Sequence, residues 1–320
     1  VVSIRKVVEF GAMLVVVAAL AGLISGWWIC DLFGQLKIAF VIALLVCALI
    51  LNVLNSHKIA RIAAFALIIL SVPLVQLNFG APAQKPAASG LNRFTVLSFN
   101  TECQSNTRFD LFEKLVQKLN PDVLVFVEID AAWQQKLEAM RLLYPYQRAV
   151  LEGPGMIVCS RHPIENFKVQ HFGKSNHPRL HFDLRSDSTV VNVVAMHPTT
   201  PKSEAGFLER NAEMALVADE MAAMSGAKML VGDLNCAPWA DAFSKLLQSG
   251  LRDTEQGFGA QPTWPARTGR VIPYVPIPPL VPIDHVLVGG DIKVIRREVG
   301  QAINSDHLPV FVELEIGKSR

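Results

Sequence analysis

Cysteine is scarce in this sequence, and none of it is spaced for metal binding. Five cysteines occur in 320 residues: Cys30, Cys47, Cys103, Cys159 and Cys236. No pair has the short spacing of a zinc site, and the three beyond the apolar N-terminal part are an odd number, so no disulfide framework is implied. Internal repeats are also missing, which excludes a repeat architecture. An excess of charge of one sign is missing too. The net charge is +2, and residues 1–90 hold six basic against two acidic residues, which leaves −2 on the rest. A weakly acidic C-terminal part has no bulk attraction for nucleic acid, so any such binding needs a local basic patch.

What the chain has in excess is apolar surface: 51% of residues are hydrophobic and the mean hydropathy is +0.33. The excess lies near the N-terminus in three runs, Phe10–Ile29, Ile38–Leu54 and Ile62–Leu77. The first is long enough to span a bilayer, the second carries no charge, and the third is short and holds Pro73. A cleaved signal peptide accounts for the first run only, and buried core helices are the soluble alternative. Three membrane spans fit the series best. Arg5, Lys6, Lys58 and Arg61 then belong on the cytoplasmic side, and an odd number of spans places the C-terminal part outside the cytoplasm, in a cell (inner) membrane protein. The chain divides into a transmembrane region (1–79), a Pro/Ala-rich linker (80–92) and a catalytic domain (93–318). The fragment from about Arg93 onward is expected to fold alone.

Within that domain, strands are expected at Phe94–Phe99, Val123–Val127, Met156–Cys159, Leu180–Leu184, Val190–Met196, Met229–Val231, Ile283–Val288 and Val310–Ile316. Helices are expected at Phe109–Leu119, Trp133–Leu143 and Glu204–Met224. Ser186-Asp187-Ser188 reads as a turn, and 257–282 as a long ordered loop holding Trp264 and Tyr274. Many strands with interspersed helices suggest a layered α/β sandwich.

The chemistry gathers where strands end. Gly232-Asp-Leu-Asn235 follows Met229-Leu-Val231; Asn100 and Glu102 follow the first strand; Glu128 and His197 each follow another. Asp306-His307 precedes the last strand, and Asp284-His285 opens the one before it. A single Asp or Asn in such a place also suits a plain turn. Four strand ends and two Asp-His pairs are hard to read as turns alone. Collected on one rim, they form a carboxylate, amide and imidazole cluster with almost no thiol. Hard oxygen donors suit Mg²⁺, Mn²⁺ or Ca²⁺, and no His pair has the tight helical spacing of a zinc site.

Here the sequence resembles the endonuclease/exonuclease/phosphatase superfamily, with its deoxyribonuclease-I-like fold. The matching residues are Leu97-Ser-Phe-Asn100, Val127-Glu128, Gly155–Pro163, Met196-His-Pro198, Gly232-Asp-Leu-Asn235, Pro282–Val286 and Ser305-Asp-His-Leu-Pro309. They stand in the family's order and cover residues 94–316. The resemblance implies a four-layer α/β sandwich, two mixed sheets with helices outside, and phosphate-ester hydrolysis with Mg²⁺ or Mn²⁺. It assigns Glu128 as the main metal ligand with Asn100 beside it and Asp306 near the metal. It makes Asp233 the residue that orients or deprotonates the attacking water, and Asn235 the holder of the phosphoryl oxygens. His307 would contact the scissile phosphate, Asp284 would fix its tautomer, and His197 would be a second phosphate contact or a proton donor. Glu102 departs from the pattern, since many relatives carry Asp there.

The remaining candidates carry less. His162 and His171 have no strong role, and His177 and His181 flank Arg179 on what reads equally as a solvated strand edge. Cys236 is expected to pack inside, and His285 is not expected to be catalytic. Trp264 and Tyr274 line the cleft or anchor their loop. Two activities follow from the resemblance: a membrane-tethered nuclease, or a phosphatase or phospholipase-type enzyme on lipid headgroups. A scaffold with a dead fold need not keep Glu128, Asp233, Asn235, Asp284 and His307 together.

Overall fold

The computed structural model describes residues 3–79, 92–186, 189–267 and 276–317. Most of the expected linker, the centre of the Ser186–Ser188 turn and Tyr274 lie outside the described residues.

Residues 3–79 form four helices: α1 (Ile4–Ala21), α2 (Trp28–Gln35), α3 (Lys37–Val53) and α4 (His57–Gln76). The apolar run Phe10–Ile29 is therefore not one helix. It breaks over residues 22–27, where Gly22, Ser25 and Gly26 weaken helix propagation. Ala12 packs with Leu51 and Ala60 at one end of the bundle, while Val16 and Ala19 pack with Leu44, Ala63, Ala66 and Leu70 toward the other. So α3 runs antiparallel to both α1 and α4. The outer faces stay apolar and exposed, with Phe10, Val17, Leu49, Val53, Phe65 and Ile68 among them. By length and composition, α4 can cross a membrane, and α2 with α3 would make a second span if their 70° bend is one broken span. α1 carries Arg5, Lys6 and Glu9, and α3 has 17 residues.

The rest is built on two six-stranded sheets. Strands β1 (Asn92–Asn100), β2 (Val123–Val127), β3 (Tyr146–Val150) and β4 (Met156–Ser160) join β11 (Ile292–Val299) and β12 (Val310–Ile316) in the first, in the order β11-β12-β1-β2-β4-β3. The second sheet holds β5 (Ile164–Phe172), β6 (His177–Ser186), β7 (Thr189–Met196), β8 (Lys228–Asp233), β9 (Leu251–Asp253) and β10 (Asp284–Gly289), in the order β5-β6-β7-β8-β10-β9. Both sheets are mixed, because β1 pairs parallel with β2 and β7 with β8 while the other pairs are antiparallel.

Strand alternation explains the layers. In β2, Val123, Val125 and Val127 face the core shared by the two sheets, while Leu124 and Phe126 face outward. The outward side is covered by α5 (Phe109–Leu119) and α6 (Ala131–Glu138), whose Phe112, Val116 and Trp133 pack there. On the second sheet, Val194, Leu230 and Leu287 face α7 (Glu204–Ala223) and α8 (Asp241–Gln248). The result is the four-layer α/β sandwich. Helix α6 is shorter than its apolar pattern suggests: Asp130 caps it by accepting from Trp133 N at 2.9 Å, and it ends before Met140.

Candidate active site

Pairing register carries the expected residues to one edge. Asn100 lies opposite Val127 in the parallel β1–β2 pair, so Asn100 and Glu128 become neighbours. Ala195 lies opposite Val231 in the parallel β7–β8 pair, which sets His197 beside Asp233. Asp284 opens β10 directly opposite Asp233, which closes β8. The loop before β12 returns to the end of β1, where Ser305 Oγ donates to the Asn100 carbonyl at 2.8 Å. Gly232 makes the β7–β8 approach possible: its φ is +142°, and a Cβ there would sit 2.0 Å from Met196 O.

The side chains converge. Asn100 Nδ2 donates to Glu128 Oε1 and to Asp233 Oδ2, both at 3.0 Å. His307 Nδ1 is 2.8 Å from Asp284 Oδ2, and its Nε2 is 3.7 Å from Asp233 Oδ2. His197 Nε2 is 3.2 Å from Glu128 Oε1, and its Nδ1 is 3.1 Å from the Asp233 carbonyl oxygen. Both nitrogens of His197 therefore have partners within the cluster. Asn235 N donates to Asp233 Oδ1 at 2.9 Å, which leaves Oδ2 to face the cluster. Glu128 and Asn235 have φ of 52° and 49°. A left-handed backbone costs energy outside glycine and is retained where surrounding structure fixes it.

Burial separates floor from mouth. The side chains of Asp233, Asp284, His197 and His307 are at most 6% exposed, whereas Glu128 and Asp306 keep 30% and 31%. Burial alone would depress the His307 pKa, but the Asp284 and Asp233 carboxylates outweigh it and carry it up to about 10. Burial would likewise lower His197, yet Asp233 and Glu128 raise it to about 9. Glu128 pays a desolvation cost that would raise it, but the His197 and Asn100 contacts hold it down at about 2. Asp233 is pushed up by burial against the pull of His307.

The donor set fits a hard divalent cation. Glu128, His197 and Asp233 offer ligand atoms within 4.8 Å of one another, as do Asp233, Asp284 and His307. Asp284 Oδ1 is buried without a hydrogen-bond partner. Carboxylates outnumber imidazoles, so a cation would offset the remaining negative charge.

The weaker expectations resolve individually. Asp306 stands at the edge: its Oδ1 is 3.9 Å from His307 Nε2 and its Oδ2 accepts from Trp264 Nε1 at 3.1 Å. Trp264 thus both anchors its loop and borders the site. Glu102 forms a buried ion pair with Arg267, and its Oε2 accepts from Asp306 N at 3.0 Å. His285 is buried against Phe243, with Nε2 2.9 Å from the Cys236 carbonyl, and Cys236 is itself fully buried. His177 stacks on His197 and reaches its carbonyl at 2.9 Å. His181 accepts from Arg179 Nε at 3.0 Å, and His171 meets Glu152 at 3.2 Å, both away from the cluster. His162 donates its backbone N–H to Ser160 Oγ at 2.9 Å. Sequence reasoning missed Arg267 and Arg210. Neither stands at a strand end, and only the folded chain places Arg210 Nη1 2.9 Å from the Asn235 carbonyl.

A model of the endonuclease/exonuclease/phosphatase family matches residues 97–307, well over half of the chain. No curated protein matches the sequence. Among solved structures, a Beutenbergia cavernae endonuclease/exonuclease/phosphatase superposes with TM-score 0.56 at 21% identity, covering 70% of this chain and 72% of that one. D. rerio TDP2 complexed with a single-strand DNA product gives 0.58 at 14% identity over 70% and 99%. Beta toxin from Staphylococcus aureus gives 0.51 at 18% identity over 68% and 99%. At these identities the likeness is one of fold.

Proposed function

Because the chain belongs to the endonuclease/exonuclease/phosphatase family, we propose that it is a membrane-anchored phosphodiesterase that uses Mg²⁺ or Mn²⁺ to cleave nucleic acid. Its family makes it a metal-dependent phosphoric ester hydrolase. The observation that carries the reading is the convergence of Asn100, Glu128, Asp233, Asp284 and His307 on one spot.

Each group then has a task. Glu128 and Asn100 would hold the metal, with Asp306 at its margin. When bound, the metal supplies positive charge for the growing charge on the phosphoryl oxygens. Asp233, with Oδ1 fixed by Asn235 N, uses Oδ2 to orient and deprotonate the attacking water. Asn235 Nδ2 gives one hydrogen to Pro198 O at 3.0 Å and has a second for a phosphoryl oxygen. His307 is kept protonated by Asp284 and donates from Nε2 to the phosphate. His197 grips Glu128 and Asp233 and so positions both.

Nucleic acid is supported by a fold neighbour that holds a single-strand DNA product. One observation favours a second reading, a phosphate ester in a lipid headgroup. The loop after Asp233 touches the helical bundle, with Trp239 Nε1 donating to Gly34 O at 2.6 Å, so the site's edge lies on the bundle's side. The exposed apolar belt on α1, α3 and α4 supports membrane embedding. Among the described residues one helix, or two spans if the bent pair counts as one, is long and apolar enough to cross, so three spans with the catalytic domain outside the cytoplasm rest on the Arg5, Lys6, Lys58 and Arg61 pattern alone.

The test uses full-length protein in nanodiscs with Mg²⁺, assayed on plasmid and single-stranded DNA and on phospholipid vesicles. Cleavage of DNA supports the first reading and headgroup release the second. Inactivity on both with metal present counts against each. A C-terminal reporter fusion tests topology, and cytoplasmic-type signal overturns the orientation.

A further inference from the structure

Helix α2 lies outside the sandwich, yet it is bonded to the loop that follows the catalytic strand. Asp31 and Gln35, one helical turn apart, both face that loop. Gln35 Oε1 accepts from Ala237 N at 2.7 Å, and Gln35 Nε2 donates to Asp31 Oδ2 at 3.2 Å. Asp31 Oδ2 also accepts from Arg210 Nη2 at 3.0 Å, and the Nη1 of the same guanidinium donates to the Asn235 carbonyl at 2.9 Å. Arg210 is fully buried, and Asp31 is the carboxylate with which it pairs. A chain of contacts thus runs from α2 through Arg210 to Asn235.

The helix is held firmly enough to serve as a stop. Gly22 at the end of α1 and Gly34 in α2 touch so closely that a Cβ on Gly22 would lie 2.7 Å from Gly34 N, and one on Gly34 would lie 2.9 Å from Gly22 O. Trp28 Nε1 donates to Pro201 O at 2.8 Å, which fixes the other end of α2 to the segment after His197-Pro198.

The loop needs such a support. Asn235 sits in the left-handed region, which asparagine tolerates better than most residues, so the direction of its carbonyl rests on the partner that holds it. Its buried carbonyl is satisfied by Arg210, and a buried guanidinium without a carboxylate is strongly unfavourable. Asn211 Oδ1 also holds the guanidinium, accepting from Nε at 3.0 Å and from Nη2 at 2.8 Å, so removing the Asp31 charge would take away its counter-charge and loosen its grip on the Asn235 carbonyl.

We propose that α2 is a positioning element of the active site, in which Asp31 and Gln35 set the geometry of Asn235 through Arg210 and Ala237. The N-terminal helices are then part of the catalytic apparatus as well as an anchor. This rests on the reading of Asn235 as the group that holds the phosphoryl oxygens.

The test is a double-mutant cycle in the full-length protein, with kcat measured on a small soluble phosphodiester, bis(p-nitrophenyl) phosphate, and Kd measured for inorganic phosphate by calorimetry, both with Mg²⁺. Asp31→Asn and Gln35→Ala are each expected to lower kcat and weaken phosphate about 10-fold, the usual scale for a group that orients a ligating or catalytic side chain. In an Asn235→Ala background the same substitutions are expected to have no further effect, because coupled residues are not additive. A general loss of folding would instead lower both backgrounds alike. Gln35→Ala removes one hydrogen bond and no charge, so it serves if Asp31→Asn does not fold. An Asn235→Ala variant with wild-type kcat and phosphate affinity overturns the reading of Asn235 and the inference with it. A damaging Asn235→Ala beside silent or additive Asp31→Asn and Gln35→Ala overturns the inference alone.

Discussion

His307 is clamped between two carboxylates: its Nδ1 lies 2.8 Å from Asp284 Oδ2 and its Nε2 lies 3.7 Å from Asp233 Oδ2. The pair with Asp284 fixes the ring and favours its charged form, while Nε2 faces Asp233 and Asn100.

Metal-free protein should therefore keep His307 protonated far above neutral pH. The ring's pKa rises from 6.5 to about 10, so the stability it contributes is complete below 6.5 and is lost as pH climbs through 10. Asp284→Asn removes the largest raising influence and should bring the titration down. Long-range ¹H–¹⁵N spectra of the imidazole nitrogens follow this directly. A neutral His307 at pH 7 in the wild-type protein would contradict the assignment.

Asp233→Asn keeps the shape of the side chain and removes its charge and basicity. A loss of about 10²–10⁴ in kcat is expected, the range for a general base, with the thermal midpoint little changed. His307→Ala should be comparably damaging and Asp284→Asn less so, since Asp284 acts through the ring. Steady-state kinetics on a phosphodiester decide the matter, and wild-type turnover by Asp233→Asn would remove it from the mechanism.

Chelation with EDTA should abolish hydrolysis, and Mg²⁺ or Mn²⁺ should restore it. Among the described residues the basic groups at the cluster are imidazoles, and the raised pKa values of His197 and His307 reflect an excess of carboxylate around them. Glu128→Gln should shift the metal concentration needed for half-maximal activity upward. An unchanged rate after exhaustive chelation would exclude a required metal.

The strands and their ends were legible because β2 and β8 hold apolar runs that end in polar residues and β10 holds one that polar residues open, and a strand buried on both faces writes that pattern plainly. The edge strands β3 and β5 were not, because one or both faces are exposed and their sequences, YQRAV and IENFKVQHF, mix charge with apolar residues. The pairing of Glu102 with Arg267 was also illegible. The two are separated by 165 positions in sequence, and only the long loop between β9 and β10 carries Arg267 back to the end of β1. Helix α2 was not legible either: only Trp28 and Ile29 belong to the first apolar run, and the rest of it, CDLFGQ, stands between two runs and reads as a short loop.

That Glu102–Arg267 pair predicts its own cost. Both side chains are at most 8% exposed, so Arg267→Met leaves a buried carboxylate without its counter-charge. Destabilisation of about 3–5 kcal/mol is expected for breaking such a pair from one side. The double substitution Glu102→Met with Arg267→Met should recover a large part of it, since no lone charge remains. Chemical denaturation of the three variants measures this, and an Arg267→Met protein as stable as wild type would show that the pair contributes nothing.

The fragment beginning at Arg93 should fold. The core between the sheets and both outer cores are made entirely of residues beyond that point, so removing the helices takes nothing from them. What the fragment loses is the cover over its catalytic edge. Ala237 N loses Gln35, Trp239 loses Gly34, and Arg210 keeps its burial partner Asn235 but not Asp31. A single cooperative unfolding transition is therefore expected, together with a kcat about tenfold or more below that of the full chain on the same soluble phosphodiester. The loss should appear in kcat more than in the cooperativity of unfolding, because the sheets stay intact while the Asn235 loop relaxes. Insoluble or non-cooperative material would place the folding boundary within the helical region. Full activity in a soluble fragment would show that the sandwich alone holds its catalytic loop.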